Sequence, residues 1–184
     1  SMGVVGVLDG VVDDYSGITL FLHGATVHVN ALLERKGVRS ALITTAGFGD
    51  VYGMRRGNRT RPYDLHFRYP DPLIPRSHVF EVSERLDASG RVLQPLVESE
   101  LDSIVEQILS EEIESVSVCF LHSYANPVHE LAAADYIKSR APQLFVTPSF
   151  RVCQEWREYE RTSTSCMNAY VSPILRQYLQ QLTK

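Results

Sequence analysis

Five short segments gather side chains that can do chemistry. The first is His23-Gly24-Ala25-Thr26-Val27-His28-Val29-Asn30, set between an apolar run and a helical pattern. His23 and Thr26 can hydrogen-bond a carbonyl or a phosphate, and a helix N-terminus offers free N–H groups to an anion. The same residues serve equally well as a helix cap (Thr26) and as a partner for buried backbone (Asn30). The second segment, His122-Ser123-Tyr124-Ala125-Asn126-Pro127-Val128-His129, also follows an apolar run. The spacing of its two histidines matches no standard metal site. A strand-end His122 bonded to nearby backbone, with Asn126 as a cap, is the plainer reading.

The third segment is Arg55-Arg56-Gly57-Asn58-Arg59-Thr60-Arg61, whose clustered guanidinium groups can clamp phosphate or carboxylate. A solvated loop, or one that pairs with another part of the protein, explains it equally. The fourth, Thr45-Ala46-Gly47-Phe48-Gly49-Asp50, lacks the third glycine of a phosphate loop and reads better as a turn leaving a strand. The fifth, Glu155 to Ser165, alternates acids and arginines at helical spacing, and its Trp156 and Tyr159 suit a domain interface. No Walker or dinucleotide loop, GxSxG elbow or HExxH pair occurs.

Composition narrows the classes. The chain has 184 residues, 44% hydrophobic and 22% charged, enough to bury a core without disulfides or metal. Its 18 basic and 22 acidic residues give a net charge of −4, which argues against nucleic acid as a partner. The cysteines Cys119, Cys153 and Cys166 are odd in number and form no CxxC pair, so no metal or redox dithiol is expected. The apolar runs fall short of the about 20 residues of a membrane span, and no secretory signal is visible. The expectation is a reduced, cytoplasmic protein with no membrane contact. Ser1 ahead of Met2 reads as an expression scar.

The elements that must position these segments follow from hydrophobic periodicity. Ile18 to Leu22 reads as a buried strand, Ala25 to Lys36 as a helix stopped by Gly37, and Arg39 to Thr45 as a second strand, which together make a βαβ unit. Phe48 to Pro75 is irregular and long enough to expect a functional loop. His78 to Val82 and Arg91 to Leu93, around Asp87-Ala88-Ser89-Gly90, read as a hairpin. A helix through Leu101, Ile104, Val105, Ile108 and Leu109 follows, with Ser99 and Asp102 as a capping box. Val116 to Leu121 is a strand, Asn126-Pro127 opens a helix to about Arg140, and Leu144 to Val146 is a further strand. Val152 to Lys184 is helical, interrupted at Pro173. The fold class is α/β, with mostly parallel strands and alternating helices. Residues 1–184 read as a single region with possible sub-parts 3–75 and 76–184.

Taken together, these segments resemble the N-terminal region of the hydantoinase A and 5-oxoprolinase family. The residues that carry the likeness are HGATVHVNALLERKG (His23 to Gly37), ALITTAGFGDV (Ala41 to Val51) and PYDL (Pro62 to Leu65). VSERLDASG (Val82 to Gly90), CFLHSYANPVHE (Cys119 to Glu130) and REYERTSTSCMNAYVSPIL (Arg157 to Leu175) add to them, so the likeness spans nearly the whole chain in order. The resemblance implies part of a ribonuclease H-like lobe of the sugar kinase and actin type, with an inserted hairpin. It implies a parent enzyme that hydrolyses cyclic amides such as hydantoins or 5-oxoproline at the expense of ATP and Mg²⁺. The partners implied are the remainder of the hydantoinase A chain and a hydantoinase B-type subunit or domain.

Two departures from the family pattern shape the expectation. The phosphate hairpins of form DxGGTxTD are absent, so no nucleotide is expected on this chain alone, which is expected to be inactive by itself. The family's HGTT-x-ATN reads His-Gly-Ala-Thr-Val-His-Val-Asn here, with Ala25 lacking a hydroxyl and His28 replacing a small residue. The catalytic residues are left unassigned. His23, Thr26, Asn30, Arg55, Arg59 and His122 are the candidates for binding substrate or phosphate. The alternatives are a non-catalytic structural or interaction domain, a piece of an acetone-carboxylase-type subunit, and a small anion- or RNA-binding module using the arginine loop.

Overall fold

The computed structural model describes residues 6, 9–12, 14–20 and 22–182. The expected scar, Ser1 and Met2, lies outside the described residues. So do Phe21 of the first expected strand and Thr183 and Lys184 of the last expected helix. In chain order the elements are α1 (Val27–Leu33), β1 (Ser40–Thr45), α2 (Val51–Met54), β2 (Val79–Val82), β3 (Arg85–Leu86) and β4 (Val92–Gln94). Then follow α3 (Glu98–Ser110), β5 (Ser115–Cys119), α4 (Val128–Arg140), β6 (Phe145–Pro148) and α5 (Glu158–Leu182).

Four strands form one sheet in the order β2-β1-β5-β6, with every pairing parallel. All residues of the central strands β1 and β5 are buried, as a parallel sheet covered on both faces requires. Alternation sends their side chains to two different environments. On one face Ala41, Ile43, Val116, Val118 and Val146 pack against Leu101, Ile104, Val105 and Ile108 of α3 and Ala133, Ala134 and Ile137 of α4. That face is almost wholly aliphatic and carries the main hydrophobic core.

The other face meets α5 through small and polar groups. Ser117 Oγ donates to Ser165 Oγ at 2.9 Å, and Cys119 Sγ lies 3.2 Å from Thr162 Oγ1. Arg161, Thr162, Ser165, Cys166, Ala169 and Tyr170 form the buried stripe of α5. Burial pushes both the Cys119 and the Cys166 thiols up, so they sit as neutral hydrogen-bonding groups.

α5 runs the length of the sheet. Near its start Arg161 reaches the Phe120 carbonyl beyond β5, and further on the Tyr170 carbonyl accepts the Val38 N–H at 3.0 Å ahead of β1. Gly37 passes under the Tyr170 ring so closely that a Cβ there would lie 2.1 Å from it. Pro173 lies inside α5 and has no N–H to give the Ala169 carbonyl.

Several elements differ from the sequence expectation. Ile18 to Leu22 forms no strand among its described residues, and Leu20 and Leu22 are 73% and 83% exposed. A strand needs a neighbour for its backbone groups, and no described strand lies beside this run. The parallel pair of β1 is instead β2, reached through the long connection after Thr45. α1 is shorter than the Ala25 to Lys36 helix expected, and Thr26 makes no side-chain cap.

Val79–Val82 joins the main sheet rather than the hairpin, which is built from β3 and β4 instead. Asp87 ties that hairpin's turn, accepting from the N–H groups of Ser89 and Arg91 at 2.9 and 3.0 Å. Ser99 and Asp102 do not form a capping box, because α3 begins at Glu98 and Asp102 is taken by Tyr136 and Arg140 of α4. Asn126 does serve the start of α4, with Oδ1 accepting the Val128 N–H at 3.1 Å.

Candidate functional site at the carboxyl ends of the strands

Open parallel sheets bind ligands beyond the carboxyl ends of their strands. At that end β1 finishes at Thr45, β5 runs out through Phe120 and Leu121 to His122, and β6 leads into Ser149 and Phe150. The first turns of α4 and α5 arrive at the same place and bring His129, Glu130, Glu158 and Arg161.

These residues form a buried ionic network. Glu130 is fully buried and accepts from Phe120 N (2.9 Å), Ser149 Oγ (2.6 Å) and Phe150 N (2.9 Å), joining the ends of β5 and β6. Burial pushes its carboxyl up against the pull of those donors. Glu84, 2% exposed, accepts from the Thr45 hydroxyl and pairs with His129 Nδ1 at 2.6 Å. Thr45 Oγ1 in turn accepts the Leu121 N–H at 2.8 Å.

Arg161 is fully buried and donates to Phe120 O (2.7 Å), Glu155 O (2.9 Å) and Glu158 Oε2 (2.5 Å). Its Nε is the one buried side-chain polar atom without a partner among the described residues. The Tyr124 ring lies 5.5 Å from this guanidinium, in cation–π range.

His122 stands at the edge of the network. Its φ of 60° is unusual for a residue with a side chain, and its Nδ1 lies 3.3 Å from the Tyr124 hydroxyl. Burial first, then the positive charges of Arg161 and Arg85, hold its pKa below the ordinary value. It is therefore a neutral imidazole near pH 7, able to donate and accept one hydrogen bond each.

The arginine loop lies against the first turn of α5 from the other side. Arg56 pairs with Glu160, and Arg61 pairs with Asp64 at 3.4 Å. Arg55 has φ 59° and ψ −133°, a region that only glycine occupies freely, at a cost of about 1–3 kcal/mol. Its Nη2 donates to the Pro70 carbonyl at 2.6 Å, and its guanidinium carbon lies 4.8 Å from the centre of the Tyr69 ring. Phe67 meets Tyr69 edge-on at 5.0 Å. Arg55, Arg56, Arg68, Tyr69 and Tyr159 line a groove of about 520 Å³, and Arg59 lines a neighbouring one.

The glycine turn after β1 is filled by the protein's own anion. Gly47 N–H donates to Glu81 Oε2 at 2.6 Å, and Arg76 bonds both Asp50 (2.7 Å) and Glu81 (2.9 Å). A Cβ on Gly49 would fall 2.2 Å from Glu81 Oε1. A phosphate entering this turn would meet a carboxylate instead of free N–H groups. Among the described residues no group of three or more His, Cys, Asp or Glu could hold a metal ion. The glycine turn after β1, as folded, does not fit the phosphates of a nucleotide. No described helix is long and apolar enough to cross a membrane.

The six residues singled out in the sequence fall into two places. Arg55 and His122 border the first turn of α5, and Arg59 lies further along the arginine loop, in a groove with Arg55 and Tyr69. His23 lies instead against Tyr178 near the far end of that helix, with ring centres 6.0 Å apart. Thr26 offers its carbonyl to the Asn30 N–H at 2.9 Å, and the Asn30 side chain is exposed. Arg161 and Tyr178 are separated along α5 by about 25 Å at the helical rise.

Five residues of the network, Glu84, His129, Glu130, Glu158 and Arg161, were not among those six. The sequence does carry a signal for two of them. Glu130 shares a helical face with Ala133, Ala134 and Ile137, and Arg161 shares one with Ser165 and Ala169. A charge on an otherwise buried stripe must find partners inside the protein.

Comparison with known proteins adds an independent line. The family model described as "Hydantoinase/oxoprolinase N-terminal region" matches residues 1–141. An uncharacterized protein of Methanocaldococcus jannaschii is 39% identical over 182 residues, which cover 97% of this chain and 27% of that protein. The caprolactamase subunit alpha of Pseudomonas jessenii is 31% identical, over 89% of this chain and 24% of its own. 5-Oxoprolinase 1 of Arabidopsis thaliana is 33% identical, over 85% and 14%.

Among solved structures, the ATP-dependent caprolactamase from Pseudomonas jessenii superposes with a TM-score of 0.86 at 29% identity. The superposition covers 98% of this chain and 27% of that one. A nucleotide-free acetone carboxylase superposes at 0.75 with 27% identity, over 82% and 23%. The chain thus spans about a quarter or less of the length of these relatives.

Proposed function

The chain belongs to the hydantoinase/oxoprolinase N-terminal family, and from that premise we propose that the full-length protein opens a cyclic amide at the expense of ATP. The observation that carries this reading is the likeness to the ATP-dependent caprolactamase along almost the entire chain. The relation to a 5-oxoprolinase points to the same bond type. This region would serve the substrate side, and the nucleotide would be gripped elsewhere in the protein, since Glu81 fills the glycine turn after β1.

In this reading neutral His122 hydrogen-bonds the amide of the substrate from the end of β5, and Arg55 and Arg59 bind its polar substituents. His23, Thr26 and Asn30 face a different part of the assembly, made by the remainder of the chain or by a hydantoinase B-type partner. The likeness to acetone carboxylase supports a second reading, in which the parent carboxylates a ketone. The greater coverage and TM-score of the caprolactamase favour the amide.

The test is ATP hydrolysis by the full-length protein with its partner subunit, given caprolactam, 5-oxoproline or hydantoin in one series and a ketone with bicarbonate in another. ADP release stimulated by a lactam or hydantoin is expected. Stimulation by the ketone series alone overturns the amide reading. His122→Ala is expected to lower the lactam-stimulated rate about 100-fold, and an unchanged rate removes His122 from the site.

A further inference from the structure

We propose that Arg55, Arg59 and Arg68, with Tyr69, form a binding site for a carboxylate or phosphate group. The argument is one of unmatched charge. Every other arginine of this loop has its acid: Arg56 has Glu160, Arg61 has Asp64, and Arg76 has Asp50 and Glu81. Asp71, across Pro70, bonds Arg35 through its backbone carbonyl, and among the described residues its carboxylate makes no ion pair with Arg55. Arg55, Arg59 and Arg68 have no carboxylate partner among the described residues, in a chain whose net charge is −4.

Arg55 is the organised member. It is half-buried, Tyr69 covers one face of its guanidinium, and Pro70 takes one of its N–H donors. Its remaining donors have no protein acceptor among the described residues. A planar fork fixed on an aromatic ring is suited to two parallel hydrogen bonds to an oxyanion. Its left-handed backbone is a conformation glycine would adopt without strain, yet arginine stands there. Arg68 lines the same groove of about 520 Å³, and Arg59 lines an adjoining one that shares Arg55 and Tyr69, so both add positive charge beside the anchored guanidinium.

The anion itself is inferred from this geometry alone. That it is the carboxylate of a carboxylated lactam, as in 5-oxoproline, rests on the proposed amide-opening activity. The other source of the same chemistry is free phosphate. The experiment is calorimetric titration of the full-length protein, with ADP present to fill the nucleotide site, using inorganic phosphate, 5-oxoproline and neutral caprolactam as probes. Wild type is compared with Arg55→Gln, Arg55→Lys and the exposed double variant Arg59→Gln/Arg68→Gln.

Arg55→Gln and the double variant are each expected to weaken anion binding about tenfold and to leave caprolactam unchanged. Arg55→Lys is expected to recover only part of the loss. An effect on 5-oxoproline alone assigns the site to the substrate carboxylate, and an effect on phosphate alone assigns it to free phosphate. Unchanged binding of both anions in Arg55→Gln and in the double variant overturns the proposal. Because binding is read without turnover, Arg55-dependent anion binding in a protein that shows no lactam-stimulated ATP hydrolysis keeps the site while removing the amide reading.

Discussion

Two charged clusters meet at the first turn of α5, and they differ in where their partners come from. The network of Glu84, His129, Glu130, Glu158 and Arg161 is buried apart from half-buried Glu158, and almost every donor and acceptor in it is matched within the chain. The arginine loop is exposed apart from half-buried Arg55, and two of its four guanidinium groups, Arg55 and Arg59, have no acid among the described residues. The first cluster joins the ends of β1, β5 and β6, so its charges act as mortar. The second holds charge in reserve at the cost of a strained backbone. Buried charges that are completed internally report on architecture, whereas charges left incomplete report on what the protein meets.

This contrast can be broken by mutation. The largest effect is expected from Glu130→Leu, which leaves two backbone N–H groups and a serine hydroxyl without their acceptor beside buried Arg161. Urea unfolding of the chain should show a loss of about 3–5 kcal/mol. A loss below about 1 kcal/mol would mean that the network does not hold the strand ends. Glu84→Gln keeps the shape but weakens the bond to His129, with an expected loss of about 1–3 kcal/mol by the same measurement.

Arg55→Gly should behave in the opposite manner. Relief of the left-handed strain offsets the lost hydrogen bond and the entropy of glycine, so stability should stay within about 1 kcal/mol of wild type. A large loss would move Arg55 into the structural class.

The smallest effect is one of pH. The folded pKa of His122 is depressed, so its contribution to stability is present above the ordinary value of 6.5 and is lost as pH falls through the folded value. His122→Asn, which tolerates the positive φ, should flatten the fall of the urea midpoint below about pH 6.5. An unchanged slope would show that His122 carries no such linkage.

How much of this was legible in the sequence depended on which face of the sheet a residue met. The aliphatic face announced itself: Leu101, Ile104, Val105 and Ile108 at helical spacing placed α3, and Val116 to Leu121 placed β5. The face against α5 is built from Ser117, Cys119, Thr162, Ser165 and Cys166, whose types do not distinguish a buried stripe from a solvated one. Ile18 to Leu22 misled for a related reason, since an apolar run states a preference for burial without saying which surface will cover it.

The family resemblance was readable from motifs spread along the chain, and the hydantoinase/oxoprolinase match over residues 1–141 confirms it. The network was hidden because Glu84, Glu130 and Arg161 are far apart in sequence and meet only where the parallel strands end together. The division of the six candidate residues was hidden too, since it depends on the direction in which α5 runs.

That helix has a mechanical consequence. Val38 docks on the Tyr170 carbonyl, the Tyr170 ring lies over Gly37, and Pro173 interrupts the ladder within the next turn. α5 is therefore clamped to the sheet as far as Tyr170, and the segment beyond Pro173 is a shorter arm on a joint. From Pro173 to Tyr178 that arm is about 8 Å long. A swing of about 10° at the joint would carry Tyr178, and His23 against it, by little more than about 1 Å. The first turn of α5, with Arg161 and the ends of the strands, would stay where it is.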